Sequence, residues 1–433
     1  MTLLNPELRR NLWLELSTQR LIAMPAVLFL LFMMGWTWDE QKAVAQTAVY
    51  VCWAILVLWG TRMACDSVVS EVQGRTWDGQ RLSGIGPGAM TVGKLLGGTI
   101  YAWYGAAICL GAVLASGGMP DDNLAPARLV VTGLFAHSIA LWFGLIQLRL
   151  QSGVRRFQVT FAQILAILAS FQFLPLVVGF EFEIDWYGIV FQPKLFALLV
   201  TALFALWGWV GCYRLMRAEL QYRSWPLVWL LFLVFLVVFC NGFTDRLPAI
   251  TEGLAFEESF VSTSLGFHVL VMATWAAGFL EPKSIVRLRR LYTRLGAGDW
   301  RGAFADLPAW VAGLPLIALV GAVAAARLPE EGRVAAQLLS TFLFLLRDMA
   351  LVYYVALGPR TKRGHLAALV YLIVLYAIVP AILSGAGGIR LLPLFAPMAG
   401  ADVFLGLVGP AAQLIGLGFL LSTRFTKPAA ARP

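Results

Sequence analysis

Apolar residues run along this chain in long blocks, each closed by a short polar or charged stretch, from residue 21 to residue 422. A helix crosses ~30 Å of hydrocarbon with about 20 apolar residues, at ~1.5 Å per residue. Twelve blocks approach or exceed that length: 21–38, 44–64, 95–116, 128–149, 157–180, 193–215, 225–243, 259–280, 307–327, 335–357, 365–385 and 400–422. The pattern predicts an all-α integral membrane protein of about twelve transmembrane helices.

Residues 5–20, NPELRRNLWLELSTQR, read differently. Asn5 is placed to cap a helix and Pro6 to occupy its first position. Leu8, Leu12, Leu14 and Leu16 interleave with charged residues, and Trp13 suits the headgroup level. Residues 1–20 are therefore expected to form an amphipathic helix on the cytosolic face of the membrane. Glu7, Arg9, Arg10 and Glu15 do not make the basic leader of a cleavable signal, so none is expected.

Block starts in 225–422 follow those in 21–217 at a nearly constant offset. This spacing predicts two six-helix halves, 21–217 and 225–422, joined by a cytosolic linker at 218–224 and followed by a tail at 423–433. An even number of crossings sends both halves into the membrane from the same side.

Composition and charge refine this picture. Of 433 residues, 60% are hydrophobic and 13% charged, too few polar groups to clothe a soluble core. Basic residues near helix ends stay cytosolic. With the N-terminus inside, Arg9, Arg75, Arg81, Lys94, Arg155, Arg156, Arg217, Arg223, Arg287, Arg290, Arg360 and Arg363 lie on the cytosolic side. Lys42, Arg128, Lys194, Arg246, Arg327, Arg333 and Arg390 fall outside, as do Glu181, Glu183, Asp185, Glu252, Glu257, Glu258, Glu330 and Glu331. Both termini are then cytosolic, and topology accounts for the net charge of +9 without a nucleic-acid partner. Cys52, Cys65, Cys109, Cys212 and Cys240 lie in or at the ends of blocks, with no Cys-x-x-Cys pair, and read as packing residues.

One stretch raises a nucleotide question. In GIGPGAMTVGKLLGG, residues 84–98, Gly88, Gly93 and Lys94 have the spacing of a phosphate-binding loop. Leu95 stands where a magnesium-binding hydroxyl is needed, no strand precedes the glycines, and a membrane span follows. A nucleotide bound by this chain is not expected.

With the residues before it, the stretch resembles the cytosolic loop of ABC-2 permeases, the membrane subunits of one class of ABC transporter. Their order of features is matched by Glu71, Gly74 and Thr76, the helix-compatible WDGQRL at 77–82, Pro87, and Gly93-Lys94; NPELRRNL is similar to their basic N-terminal helix. Arg75 departs from the pattern by separating Gly74 from Thr76. The resemblance implies an exporter subunit in the bacterial cytoplasmic (inner) membrane. Two separate ATPase subunits would bind ATP and Mg and push on a coupling loop formed by Glu71, Gly74, Arg75, Thr76, Trp77, Asp78, Arg81 and Leu82. This chain would bind no cofactor itself. Its partners would be the ATPases and membrane lipid, with either one chain, a homodimer or further membrane subunits completing the membrane domain.

The corresponding loop of the second half, LEPKSIVRLRRL, lacks the Gly-Thr element and is strongly basic. Glu281, Arg287, Arg290 and Leu291 mark it as a second coupling loop by position. Within the blocks, Arg347 and Asp348 form an intramembrane polar pair, costly there and therefore either a translocation path or an interhelical clamp. Being adjacent on one helix, they are expected to meet different partners. Arg62 is expected to snorkel, and His137 and His268 to hydrogen-bond in the core. FEFEIDWYGIVF, residues 180–191, falls where ABC-2 permeases place short outer-leaflet helices. A self-powered secondary transporter and a non-transporting scaffold or assembly factor are the rival readings. The first would need paired intramembrane acids or interrupted helices in both halves.

Overall fold

A long helical hairpin opens the fold. In the computed structural model, which describes residues 5–119, 122–150, 156–170, 183–223, 225–243, 258–327, 333–358, 364–397 and 402–426, helix α1 (Pro6–Glu15) is followed by α2 (Thr18–Trp53). A Cβ built on Gly35 would lie 2.8 Å from the Thr47 Oγ1. Twelve residues of straight helix span ~18 Å, so the two ends of α2 run side by side. They supply the first two candidate spans, Thr18–Thr37 and Ala43–Gln73. The second continues through a π-helical turn, Ala54–Trp59, into α3 (Gly60–Gln73).

Next come α4 (Trp77–Leu82), α5 (Pro87–Val92), a π-helical turn (Gly93–Gly97) and α6 (Ile100–Ala115). The run from Pro87 to Ala115 bends by 50° between Gly97 and Ile100. Helices α7 (Ala125–Leu150), α8 (Arg156–Ala169) and α9 (Pro193–Glu219) follow. Small residues let them approach closely, as membrane packing requires. Ala102, Ala106 and Cys109 of α6 are buried with Met24, Leu28 and Cys52 of α2, while Gly144 of α7 lies against Cys65 of α3.

Between α8 and α9, residues 184–191 form a two-stranded hairpin, β1 (Ile184–Trp186) and β2 (Ile189–Phe191), instead of the expected short helices; residues 180–182 lie outside the described residues. Tyr187 and Gly188 both have positive φ, 54° and 73°, the backbone of a tight type I′ turn. β-Branched Ile189 and Val190 then favour extension.

The later helices are α10 (Leu227–Asn241), α11 (Glu258–Leu280), α12 (Ile285–Gly296), α13 (Trp300–Asp306), α14 (Ala309–Arg327), α15 (Arg333–Ala356), α16 (Gly364–Ile373), α17 (Val379–Gly385) and α18 (Val403–Thr426). A third π-helical turn, Val374–Ile378, joins α16 to α17, and a 3-10 turn spans Ile389–Leu394. The chain divides into two compact units: Met1–Ile184 with Val190–Ser224, and Asp185–Ile189 with Trp225–Pro433.

Each of the twelve apolar blocks carries helix, but the described residues do not yield twelve spans. Eight helices are long and apolar enough to cross a membrane, or up to ten if each of two bent pairs counts as one span. The described apolar helices Val159–Ala169 and Leu227–Asn241 are too short for that test. The chain is an all-α, multi-pass membrane protein by length and composition of its helices.

Candidate functional site

Helix α1 begins where the sequence places it. The Asn5 side chain accepts hydrogen bonds from the Glu7 and Leu8 amides and donates to the Ala89 carbonyl at 2.6 Å, tying α1 to α5. Gly93 and Gly97 make the floor beneath α1. A Cβ on Gly93 would overlap the Glu7 side chain, and one on Gly97 would lie 2.9 Å from Asn11 Cβ. The face of α1 turned inward is polar. Glu7 and Asn11, one turn apart, are its buried residues, whereas Trp13 and Leu14 are exposed. Within the expected segment 1–20 the helix covers only Pro6–Glu15, with Leu8 and Leu12 half-buried.

That polar face meets Lys94, whose side chain is completely buried. Its ammonium nitrogen lies 2.9 Å from Glu7 Oε1 and 2.5 Å from Glu71 Oε2. Arg10 closes the ring, 3.2 Å from Glu7 and 2.8 Å from Glu71. Asn11 donates to Glu7 at 3.2 Å and to the Gly93 carbonyl at 3.1 Å, and Gln80 donates to Glu71 at 2.5 Å. Two acids and two bases balance, so the cluster is neutral as a whole. Four segments converge on it: α1, the end of α3, α4 and the start of the third span.

The turn from α3 to α4 is set by Arg75. It has φ +57°, and the Thr76 amide reaches back to the Glu71 carbonyl at 2.9 Å, as in a helix ended by one left-handed residue. Gly74 keeps φ −75°, so the left-handed position falls to Arg75 instead of the neighbouring glycine. Trp77 is buried against Val68, Met90, Leu95, Leu141 and Met216, its ring 6.0 Å from the Lys94 nitrogen. Asp78 and Leu82 point away, each 86% exposed, while Arg81, 3.5 Å from Asp78, is half-buried and close enough to Glu219 to act on its charge. The eight residues Glu71, Gly74, Arg75, Thr76, Trp77, Asp78, Arg81 and Leu82 thus divide into an inward anchor and an outward platform. Lys94, Glu7, Asn11, Arg10 and Gln80 complete the anchor without having been singled out for it. Their signal was the i, i+4 polar pair of α1 opposite a G-x-x-x-G run. Residues 87–97 are helical, with the Lys94 ammonium taken by carboxylates.

The second unit's loop is internally paired. Glu281 holds Arg287 at 2.5 Å and caps the Ala309 amide at 3.0 Å, while Asp306 takes Arg290 at 2.9 Å and Arg294 at 2.8 Å. Leu291 is buried. Lys283 donates to the Phe279 carbonyl at 2.7 Å and sits between the Phe279 and Tyr353 rings, each 5.8 Å away. Burial pushes its ammonium down to about 7, against the smaller opposing pull of Glu281.

Arg347 and Asp348 do bond each other, contrary to the sequence expectation. Arg347 Nε and Nη2 lie 2.9 and 2.6 Å from Asp348 Oδ1, the long arginine side chain reaching its neighbour's carboxylate. Asp348 also accepts from Trp275 at 3.2 Å and Tyr376 at 2.9 Å; Arg347 donates to Gln413 at 2.9 Å and the Phe395 carbonyl at 3.2 Å. The Phe344 and Tyr376 rings flank the guanidinium at 4.6 and 5.0 Å. Such a saturated cluster clamps α11, α15, α18 and the Val374–Ile378 turn together.

His137 Nε2 donates to the Leu56 carbonyl at 2.9 Å, and Gln163 donates to Leu58 at 2.6 Å; both carbonyls lie in the first π-helical turn. His268 bonds the Ser264 carbonyl one turn back at 2.9 Å. The five cysteines are buried and free. Among the described residues no set of three or more His, Cys, Asp or Glu side chains is placed to hold a metal ion. Comparison of the chain with protein-family profiles, curated proteins and solved structures returns no match.

Proposed function

We propose that this chain is the membrane-spanning permease subunit of an ATP-driven ABC-2-type exporter in a bacterial cytoplasmic membrane. Two partner ATPases would supply the hydrolysis, with ATP and Mg bound on those subunits. The observation that carries the reading is the anchoring of α4. A six-residue helix, unable to persist alone, is fastened through Glu71, Gln80 and Trp77 to α1 and to the broken third span, while Asp78 and Leu82 stay outward and Arg81 bridges the two sides. A push on that platform reaches the spans through a buried ionic joint instead of being lost in loop motion. The saturated Arg347–Asp348 cluster supports a packing role there. The bent helix pairs at Gly97–Ile100 and Leu280–Ile285, one in each unit, are the interrupted helices that a self-powered transporter would use, and they make it the second reading.

The test is co-purification of the chain in nanodiscs with ABC ATPase subunits from the same organism. Asp78→Lys with Leu82→Glu is expected to lower ATPase capture at least about tenfold, ~1.4 kcal/mol, without altering thermal stability. Equal capture by both forms, or none by either, would remove the permease reading.

A further inference from the structure

The loop between α11 and α14 carries a surface that the proposed transport function does not use. Helix α12 turns by 113° from α11, which lays it near the perpendicular to that span. Helix α14 is long and apolar enough to cross a membrane and α11 meets that test together with α12 across the bend, while Arg287, Arg289, Arg290 and Arg294 of α12 favour the water–lipid boundary over the hydrocarbon. Along α12, Ile285, Leu288, Tyr292 and Leu295 recur at spacings of 3, 4 and 3 and share one face. Tyr292 and Leu295 of that face are exposed, and Trp300 at the start of α13 is 71% exposed.

Charge on this segment is in excess and sorted. Residues 281–306 hold six bases (Lys283, Arg287, Arg289, Arg290, Arg294, Arg301) and three acids (Glu281, Asp299, Asp306), so 6 − 3 leaves +3. The three acids are all engaged by Arg287, Arg290 and Arg294 within the fold. Arg289 and Arg301 are exposed, with no ion pair among the described residues.

We infer that α12 and α13 form a membrane-surface anchor that binds anionic phospholipid. Tyr292, Leu295 and Trp300 enter the headgroup–acyl boundary, and the free guanidiniums of Arg289 and Arg301 take lipid phosphates. Apolar burial fixes depth and the arginines select charge. This loop therefore grips the bilayer instead of serving as a second docking platform, since Glu281, Arg287 and Leu291 are engaged inside the fold and the exposed Arg290 is paired with Asp306. The inference stands whether or not an ATPase docks on α4.

The test uses the full chain in nanodiscs of equal parts phosphatidylcholine and phosphatidylglycerol, with retained lipid read by native mass spectrometry. Arg289→Gln with Arg301→Gln is expected to retain at least about threefold less phosphatidylglycerol, while Arg390→Gln, an exposed arginine elsewhere, retains as much as the parent. Nitroxides at Leu295→Cys and Trp300→Cys are expected to collide more with oxygen than with a water-soluble nickel complex; the native cysteines are buried and compete little for label. Unchanged retention, an equal loss in Arg390→Gln, or nickel-accessible labels would overturn the anchor. So would protection of the labels by an added ATPase in place of lipid, which would make the surface a protein interface.

Discussion

Lys94 shows how much a single residue depends on its surroundings. An isolated ammonium buried this completely would lose its charge or cost several kcal/mol; here Glu7 and Glu71 flank it at 2.9 and 2.5 Å and Arg10 balances the second acid. Removing one member leaves the others uncompensated, a loss of about 3–5 kcal/mol in buried pairs. Lys283 is the opposite case, half-buried between aromatic rings with its ammonium pushed down to about 7 by desolvation. Between that value and its ordinary value of 10.5 the unfolded chain holds the extra proton, so folding stability rises with pH in that window and levels off below it. Denaturation of the wild type and of Lys283→Met from pH 7 to pH 10 should show that rise only in the wild type, with a slope of at most about 1.4 kcal/mol per pH unit. Parallel curves would place Lys283 in a wetter setting. Sequence showed that Glu71, Trp77 and Lys94 belong to one segment; it did not show that they share a joint with Glu7, which precedes them by more than sixty positions.

At the level of elements, the start of α1 was legible but its end was not: the helix stops at Glu15, and residues 18–20 already belong to α2. Leucines interleaved with charges did not show which residues would face inward: Glu7 and Asn11 do, and Trp13 and Leu14 face outward. Beside a bilayer the apolar phase lies outside the protein, so polar residues gain most from burial against partners. The Gly93 and Gly97 floor makes this contact possible and gives it a test. Gly93→Ala should displace α1 and speed deuterium uptake across residues 6–15, because the new Cβ would meet Glu7 Cβ at 2.5 Å. Gly88→Ala should leave uptake unchanged, its nearest neighbour being the Tyr213 ring at 3.9 Å. Matching uptake in both variants would mean that α1 is not seated by the glycines. The hairpin at 184–191 was missed because aromatic and acidic composition is compatible with an interfacial helix; the Tyr-Gly turn is the local signal that decides against one.

For the whole molecule, each apolar block carries helix, but only eight to ten candidate spans result among the described residues, and hydropathy did not show the breaks. Bends of 50° beyond Gly97 and 113° beyond Leu280 arise where glycines or a Pro-Lys-Ser turn interrupt apolar runs, and an averaging window does not see them. The two π-helical turns in the first unit lie at the His137 contact and at Lys94, places where the backbone gives up regularity to seat a polar side chain. The central claim is that the Glu7–Lys94–Glu71 joint transmits force from α4 to the spans. The most direct measurement is ATP hydrolysis by the captured ATPase in nanodiscs, comparing the parent chain with Lys94→Met and with Gln80→Ala as the milder break. The joint predicts that both variants still bind the ATPase through Asp78, Arg81 and Leu82 but lose at least about tenfold of its stimulation. Full stimulation by a correctly assembled Lys94→Met chain would contradict it.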